Sequence, residues 1–307
     1  MSAPSPRSSP LPIAIVLAFL AVYLIWGSTY LAIRWSVETM PPFLMAAVRF
    51  LTAGALLYGW FHARGMTRPS AKQWKAATIS GGLLLGGGNG AVVVAVQWVP
   101  SGLAALLVGT VPLWIVLVDW LAGSRVCPST RSGIGVVVGF AGIAILAGSP
   151  GVGAGGPREA FAAVLVLAGS LSWALGSIYS KYAADLPRPG PLVSMQMLTG
   201  GSILLLMSIA AGEPFSFDIS AVSLKSVLSL AYLITFGAMV AYAAYVWLLN
   251  VVSPAKATTY AYVNPVVAMF LGWALADEPL SFRALLAAAI ILGAVVLITT
   301  EARRRPA

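Results

Sequence analysis

Cysteine and histidine are nearly missing from this sequence. The chain has one cysteine, Cys127, and one histidine, His62, in 307 residues. A disulfide bond within the chain is therefore impossible, and a Cys/His metal site or a histidine-based catalytic triad is nearly excluded. We expect no catalytic residue, no metal and no cofactor, and we predict that the protein is not an enzyme.

Charge is scarce as well. Only 9% of the residues are charged, whereas 59% are hydrophobic and the mean hydropathy is +0.91. A soluble domain normally has about 25% charged residues, so a water-soluble fold could not hide this much apolar surface. The chain is predicted to be an all-α polytopic membrane protein. Its net charge of +9 does not indicate a nucleic-acid partner, because the basic residues lie in short loops, where they set topology and contact anionic lipid.

Apolar runs of about 20 residues recur along the chain, the length that a hydrocarbon core of ~30 Å requires. The first run is too long for a signal peptide and ends in no A-x-A cleavage motif, so we interpret it as a spanning helix. Residues 1–11 are expected to form a disordered tail and residues 301–307 a basic tail. The sequence predicts ten spans, at about 12–33, 42–62, 75–97, 102–121, 131–149, 160–181, 191–211, 223–249, 255–276 and 283–300.

The distribution of lysine and arginine predicts that both termini face the cytoplasm. With the N-terminus inside, 13 of these residues fall in cytoplasmic segments and 4 in outer loops, while Arg49 lies within a span. Cytoplasmic loops carry an excess of Lys and Arg, so the ratio favours an even number of spans. The outer residues are Arg34, Arg158, Lys225 and Arg283, and the cytoplasmic ones are Arg7, Arg64, Arg68, Lys72, Lys75, Arg125, Arg131, Lys181, Arg188, Lys256, Arg303, Arg304 and Arg305.

The two halves of the chain, residues 12–150 and 155–300, resemble each other. Four short matches recur in order at offsets of 147 to 153 residues: 27–30 with 176–179, 52–54 with 199–201, Pro112 with Pro265, and 142–144 with 293–295. Each half has five predicted spans, an odd number, so the second half is predicted to run through the membrane upside down. Inverted repeats are typical of alternating-access transporters, whose substrate site lies near the midplane between the repeats.

Prolines lie at matching places in spans 4 and 9. A proline inside a membrane helix frees a backbone carbonyl, which neighbouring helices or a wet cavity must satisfy. Asn264, beside Pro265, adds further hydrogen-bonding demands that lipid cannot meet. We predict that Pro112 and Pro265 are symmetry-related helix breaks and that Asn264 lines the pathway; the alternative is that they are packing kinks without ligand contact.

Three further polar residues are predicted to face the interior. Arg49 lies eight residues into span 2 from Pro41, a depth of ~12 Å at 1.5 Å per residue. It could attract a substrate carboxylate, or it could extend outward toward Glu38. Gln196 occupies the corresponding place in span 7, and Asn89 lies well inside span 3, where the alternative to cavity lining is a hydrogen bond to a neighbouring helix.

Aromatic residues form the rest of the predicted substrate cavity. Some tryptophans and tyrosines will belong to the belts at the membrane interface. Tyr242 and Tyr245, however, share one helix face deep in span 8, where a belt does not explain them. Aromatic walls bind apolar or aromatic groups by stacking. The predicted aromatic lining is Trp26, Tyr30, Trp173, Tyr179, Tyr242, Tyr245 and Tyr260.

Longer motifs resemble a known family over almost the whole chain, about residues 12–300. They are WGSTYLAIR in span 1, PPFLMAAVRF in span 2, GGGNG in span 3, VPSGLAALLVGTVPLW leading into span 4, GFAGIAIL in span 5, and SPAKATTYAYVNPVVAMFLG followed by Glu278. Together they resemble the EamA family of the drug/metabolite transporter superfamily, and within it the bacterial inner-membrane exporters, one of which exports aromatic amino acids.

This resemblance implies ten helices, a five-plus-five inverted repeat and a central cavity for the efflux of small metabolites across the bacterial inner membrane. We predict an exporter of small organic solutes, with aromatic or neutral amino acids as the first candidates and other drugs or metabolites as the alternative. The expected partners are a small-molecule substrate and the lipid bilayer, and a monomer is a plausible state. A membrane-embedded enzyme would need clustered His, Asp, Glu or Cys residues, and a channel would need polar rings from repeated subunits.

Overall fold

The structure, a computed structural model, describes residues 12–122, 127, 129–147, 156–183, 186–252, 257, 259–278 and 280–301. Within these ranges the regular structure is helical. The predicted N-terminal tail, and the C-terminal tail beyond residue 301, lie outside them. The long helices are α1 Pro12–Ser36, α2 Pro42–Ala63, α3 Ala71–Ala95, α4 Ser101–Ala122, α5 Thr130–Ala147, α6 Pro157–Tyr182, α7 Pro189–Ala210, α8 Leu224–Leu248, α9 Tyr260–Ala276 and α10 Phe282–Glu301.

The helix boundaries follow from local chemistry. Helices α2, α6 and α7 begin with proline in the first turn, where its missing N–H removes no helical hydrogen bond. Helix α3 begins with a capping box, in which Ser70 and Gln73 satisfy each other's backbone N–H groups. Helix α9 ends at Ala276 and is followed by Asp277, whose φ of 51° is left-handed, and the Glu278 N–H returns to the Gly272 carbonyl at 3.1 Å.

Seven helices in the described part of the chain are long and apolar enough to cross a membrane, namely α1 to α4 and α6 to α8. Helices α9 and α10 contain the shorter apolar stretches Val263–Ala276 and Leu285–Ala294. Each long helix overlaps one of the runs that the sequence analysis interpreted as a span. An all-helical membrane protein is therefore confirmed, whereas the count of ten spans and their orientation stay predictions.

Helix packing has the same pattern in both halves of the chain. The most extensive contacts join α2 to α7 and α5 to α10, and α4 packs on α9. Helix α1 packs on α8 and α9, and its counterpart α6 packs on α3 and α4. Exchanging each helix for the one five places further along the chain leaves these contacts unchanged. This invariance is what two structurally related halves produce.

Three helices in the part of the chain that the structure describes contain π-helical segments. They are Ala21–Ile25 in α1, Gly82–Asn89 in α3 and Leu233–Tyr242 in α8. π-Helical turns are rare in proteins, but those that occur are often found at functional sites. The extra residue in the turn changes the direction in which the side chains point. Helix α4 is interrupted between Val108 and Val111, just before Pro112, whereas Pro265 lies inside the continuous helix α9.

Acidic residues join helices at both ends of the bundle. At one end, called the Glu278 end, Glu278 follows α9 and contacts the end of α1 and the start of α4, while Glu213 follows α7 and contacts the start of α2. At the opposite end, called the Asp119 end, Asp119 of α4 pairs with Lys181 of α6 at 3.5 Å. The central cavity lies between these two ends.

Candidate functional site

A central cavity lies where the middle parts of helices α1, α2, α3, α4, α6, α8 and α9 meet. It holds about 650 Å³ of empty space, counting open solvent at its mouth. Most of its lining residues are buried, including Phe50 and Leu85. Because these helices come from both halves of the chain, the cavity lies at the junction between them, where substrates of repeat-built transporters bind.

The structure brings many, but not all, of the predicted site residues to this cavity. Trp26, Tyr30, Arg49, Asn89, Trp173, Tyr242 and Tyr260 line it. Tyr179, Gln196, Tyr245, Asn264, Pro112 and Pro265 are not among its lining residues. These placements are geometric, so substrate contact by any of the residues stays a prediction.

Five of the aromatic residues form one connected group, which we call the aromatic cluster: Trp26, Trp173, Tyr242, Tyr245 and Tyr260. The Trp26 ring lies at its centre, with ring centroids 5.0 Å from Tyr245, 5.2 Å from Tyr260, 5.8 Å from Trp173 and 6.4 Å from Tyr242. These are favourable distances for tilted and edge-to-face packing. The cluster joins α1, α6, α8 and α9, and Tyr245, only 1% exposed, lies behind the lining.

Hydrogen bonds fix the orientation of two rings in the aromatic cluster. The Trp26 indole N–H donates to the Gly237 carbonyl at 3.2 Å. The Tyr242 hydroxyl donates to Gln196 Oε1 at 2.7 Å, and Gln196 Nε2 donates to Ser80 Oγ at 2.9 Å. Gln196 is thus an interior residue, as the sequence predicted, but its amide holds a lining tyrosine in place and does not itself line the cavity.

Asn264 has a similar supporting position. It is 2% exposed, and with its Nδ2 turned toward them it donates to the carbonyls of Tyr23 at 3.1 Å and Tyr260 at 3.3 Å. It therefore ties α9 to the π-helical segment of α1. A buried amide needs hydrogen-bond partners, and this need predicted an interior position. Carbonyl groups of α1 and α9 supply the partners.

The two proline sites lie close together. A Cβ atom placed on Gly109, in the interruption of α4, would lie 3.3 Å from Pro265 Cγ and 3.5 Å from the carbonyl oxygen of Ala261. That carbonyl is the one that Pro265 deprives of a helical hydrogen bond. Helices α4 and α9 therefore cross where both backbones are irregular, and a methyl group at position 109 would press against Pro265.

Arg49 is buried and has no partner for two of its nitrogens. Its side chain is 3% exposed, and Nε and Nη1 have no hydrogen-bond partner. The guanidinium carbon lies 4.7 Å from the centre of the Phe50 ring. Arg49 does not extend outward to Glu38: it lines the cavity, and Glu38 pairs with Lys225 at 2.5 Å. Arg49 instead brings a positive charge to the cavity wall.

The other polar groups of the lining are neutral. Asn89 Oδ1, at the end of the π-helical segment of α3, is buried without a hydrogen-bond partner. Thr29 and Ser170 use their hydroxyl groups on backbone carbonyls of their own helices, at 2.7 and 2.9 Å. No Asp, Glu, Lys or His occurs among the described residues that line the cavity. The site therefore combines one cation, a free acceptor on Asn89, a free indole N–H on Trp173 and an aromatic wall.

Sequence reasoning missed the other eleven of the eighteen lining residues, among them Thr29, Phe50, Ser170 and Gly237. Small or apolar residues within an apolar span give no signal of their facing direction. Only its place in a π-helical segment indicates that Gly237 could line the cavity, and no sequence pattern predicts that segment.

Comparisons with known proteins agree with this geometry. The profile of the EamA-like transporter family matches the chain twice, at residues 13–148 and 160–300. An Escherichia coli K12 protein named an uncharacterized inner membrane transporter, YedA, is 44% identical over 285 residues, which cover 92% of this chain and 89% of that protein. The uncharacterized transporter YvbV of Bacillus subtilis is 25% identical, covering 96% of this chain and 93% of that one.

A crystal structure of another protein, 22% identical in sequence, superposes with a TM-score of 0.66 and covers 95% of this chain and 99% of that chain. At this identity the likeness concerns the fold alone. The double match to one profile agrees with the two related halves seen in the helix packing, and the relatives are named as transporters. The chain therefore belongs to the EamA-like transporter family and is a multi-pass transporter of the inner membrane.

Proposed function

We propose that this protein exports small metabolites, amino acids foremost, across the inner membrane by alternating access. The observation that carries the proposal is the central cavity, which lies between the two halves of the chain and is walled by the aromatic cluster. Aromatic rings suit neutral or aromatic side chains. One chain supplies both sides of the pathway, so a monomer suffices.

The packing of the helices supports alternating access. Contacts of α1 with α8 and α9 recur as contacts of α6 with α3 and α4, so the two halves can exchange roles around a fixed site. Five helices in each half, together with the lysine and arginine distribution, support an inverted arrangement with both termini in the cytoplasm. Export, as opposed to uptake, rests on the resemblance to bacterial exporters.

Counterflow into proteoliposomes tests the proposal. Vesicles that contain the purified protein are loaded with an unlabelled amino acid, and uptake of the same radiolabelled amino acid is measured with and without a pH gradient. We expect protein-dependent uptake that is strongest for aromatic and large neutral amino acids. If no amino acid moves while another small metabolite does, the amino-acid assignment is wrong.

A matched pair of variants in α9 links transport to the cavity. Tyr260→Leu removes a buried lining ring, 3% exposed, whereas Phe270→Leu changes a ring that is 59% exposed on the outside of the same helix. We expect counterflow to fall at least tenfold in the first variant and to stay within twofold of wild type in the second. Equal transport by both variants would show that this cavity is not the pathway.

A further inference from the structure

We propose that Arg49 and Asn89 form a two-point site for the charged groups of a zwitterionic amino acid. In this arrangement Arg49 binds the carboxylate, Asn89 Oδ1 accepts a hydrogen bond from the ammonium group, and the side chain lies against the aromatic cluster. The inference rests on the proposed function and adds to it the orientation of the substrate and the chemistry that selects it.

Arg49 is the anion-binding half of this site. Burying an arginine in a membrane protein is costly, and such residues either pair with another group or mark a substrate pathway. Nε and Nη1 lack hydrogen-bond partners, and no described acidic residue lines the cavity to neutralise the charge. A guanidinium group matches a carboxylate with two parallel hydrogen bonds, which are short and strong because both groups are charged. The missing partner of Arg49 is therefore an anion that enters from the cavity.

Asn89 supplies the second point. Its Oδ1 is a buried acceptor without a donor, so it also lacks a partner that a ligand could bring. A simple organic anion has no strong donor to offer, whereas an α-ammonium group has three. Three lining residues have buried polar atoms without a partner, namely Arg49, Asn89 and, through its indole N–H, Trp173. The Arg49 guanidinium group and Asn89 Oδ1, a cationic donor and a neutral acceptor, are together the complement of an α-amino acid.

The backbone of α8 keeps the Arg49 position open. A Cβ atom on Gly237 would lie 2.9 Å from Arg49 Nη2 and 3.1 Å from Thr29 Cγ2. The Gly237 carbonyl accepts the hydrogen bond of the Trp26 indole. One residue of the π-helical segment thus contacts the guanidinium group and also fixes the central ring of the aromatic cluster. A substrate whose carboxylate binds Arg49 therefore has its side chain within reach of Trp26.

This arrangement predicts an order of affinity among three probes with the same phenyl ring. L-Phenylalanine has both charged groups, 3-phenylpropanoate has only the carboxylate, and 2-phenylethylamine has only the ammonium group. We expect wild-type protein to bind them in that order, with 2-phenylethylamine at least a hundredfold weaker than L-phenylalanine. The amine carries a net positive charge into a cavity whose described lining offers no acid and already contains Arg49.

The experiment measures binding of each probe to the purified full-length protein, together with counterflow of L-phenylalanine. Arg49→Gln should weaken L-phenylalanine and 3-phenylpropanoate at least tenfold each and leave 2-phenylethylamine unchanged or tighter. Asn89→Leu should weaken L-phenylalanine about tenfold and leave 3-phenylpropanoate unchanged, because that probe has no ammonium group. Arg64→Gln and Gln97→Leu, which change an exposed arginine and an exposed carboxamide side chain, should alter the binding of none of the three probes.

A double variant protects the test against simple loss of folding. Arg49→Gln/Asn89→Asp removes the cation and adds a carboxylate, so it should bind 2-phenylethylamine more tightly than wild type does. A gain of affinity cannot come from unfolding. If wild type transports L-phenylalanine while Arg49→Gln and Asn89→Leu bind each of the three probes as tightly as wild type does, the inference is overturned and the proposed function stands. If wild type moves no amino acid, the proposed function fails and the inference fails with it.

Discussion

At the Glu278 end of the bundle, buried and half-buried carboxylates bridge helices from both halves of the chain, whereas at the Asp119 end the described acidic contact is a partly exposed ion pair. Glu278 is 5% exposed and receives hydrogen bonds from Arg34 Nη1 at 2.6 Å, Ser101 N at 2.8 Å and Gly102 N at 3.1 Å. Asp119 and Lys181, by contrast, are 27% and 41% exposed. The two ends therefore differ in how firmly they hold the helices together.

Two helices at the Glu278 end, α2 and α4, find acceptors for their N-terminal N–H groups on distant carboxylates. At the Glu278 end, α4 and α2 begin with proline-containing turns that have no capping side chain of their own, so carboxylates from distant loops supply the acceptors. Glu213 accepts from Phe43 N at 3.2 Å and Leu44 N at 2.7 Å. At the Asp119 end, α3 caps itself through Ser70 and Gln73. A capping carboxylate from a distant segment stabilises the contact between two parts of the fold. A capping side chain next to the helix stabilises only that helix.

The largest effect is expected from Glu278→Gln. The change removes the charge that pairs with Arg34, which is 36% exposed, and weakens the hydrogen bonds from Ser101 N and Gly102 N. Hydrogen bonds to a charged group contribute about 1.5–3 kcal/mol each, so a loss of about 3 kcal/mol is expected. The thermal unfolding midpoint of the detergent-solubilised protein should fall by several degrees. An unchanged midpoint would mean that this end is not held more firmly than the other.

Gly272→Ala should disturb the hydrogen bonds of Glu278 by adding one methyl group beside its carboxylate. A Cβ atom on Gly272 would lie 2.8 Å from Glu278 Cδ and would push the carboxylate away from its donors, an overpacking cost of about 2 kcal/mol. Gly293→Ala in α10 is the matched control, because a Cβ atom there meets no atom within 4 Å. We expect a lower unfolding midpoint for the first variant only, and equal midpoints would contradict the packing seen at the Glu278 end.

Glu213→Gln should have an intermediate effect. The carboxylate also accepts from Ser208 Oγ at 2.8 Å, but it is half-buried and has no described ion-pair partner. Losing its charge at the start of α2 should cost about 1 kcal/mol, in the range of a helix cap. The measurement is the same unfolding midpoint, and a loss as large as that of Glu278→Gln would show that the ion pair with Arg34 adds nothing.

The smallest effect is expected at the opposite end. Asp119→Asn weakens an ion pair with Lys181, while the amide can still accept the Tyr182 hydroxyl bond of 2.8 Å. Exposed pairs contribute about 0–1 kcal/mol, so the unfolding midpoint should stay close to that of wild type. A large destabilisation by this variant would remove the contrast between the two ends.

The sequence predicted the helices well because lipid imposes a strong constraint on them. A run of about 20 apolar residues has few alternatives, and Pro12–Ser36 and Pro42–Ala63 cover the predicted runs 12–33 and 42–62. It also identified Arg49, Gln196 and Asn264 as interior, since lipid cannot satisfy their polar groups. In these cases one residue and one physical rule were enough.

The sequence could not distinguish residues that line the cavity from residues behind them that hold the lining side chains in place. Gln196 and Asn264 bond to Tyr242 and to the Tyr23 carbonyl across helix contacts, and such pairings depend on helix rotation. The sequence also did not show that Glu278 caps the start of α4, because Ser101 is 177 residues away along the chain. Hydrophobic composition fixes where a helix lies in the sequence, but it does not fix which neighbour each polar atom meets.

The three π-helical segments have a mechanical consequence. A π-helical turn holds one residue more than an α-helical turn, so it can release that residue by exchanging one set of hydrogen bonds for another. Such a step shifts the helix beyond it by about 1.5 Å and rotates it by about 100°, the rise and turn of one residue. Helices α1, α3 and α8 therefore need not move as rigid rods. The part of each helix at one membrane face can change register while the part at the other face keeps its packing.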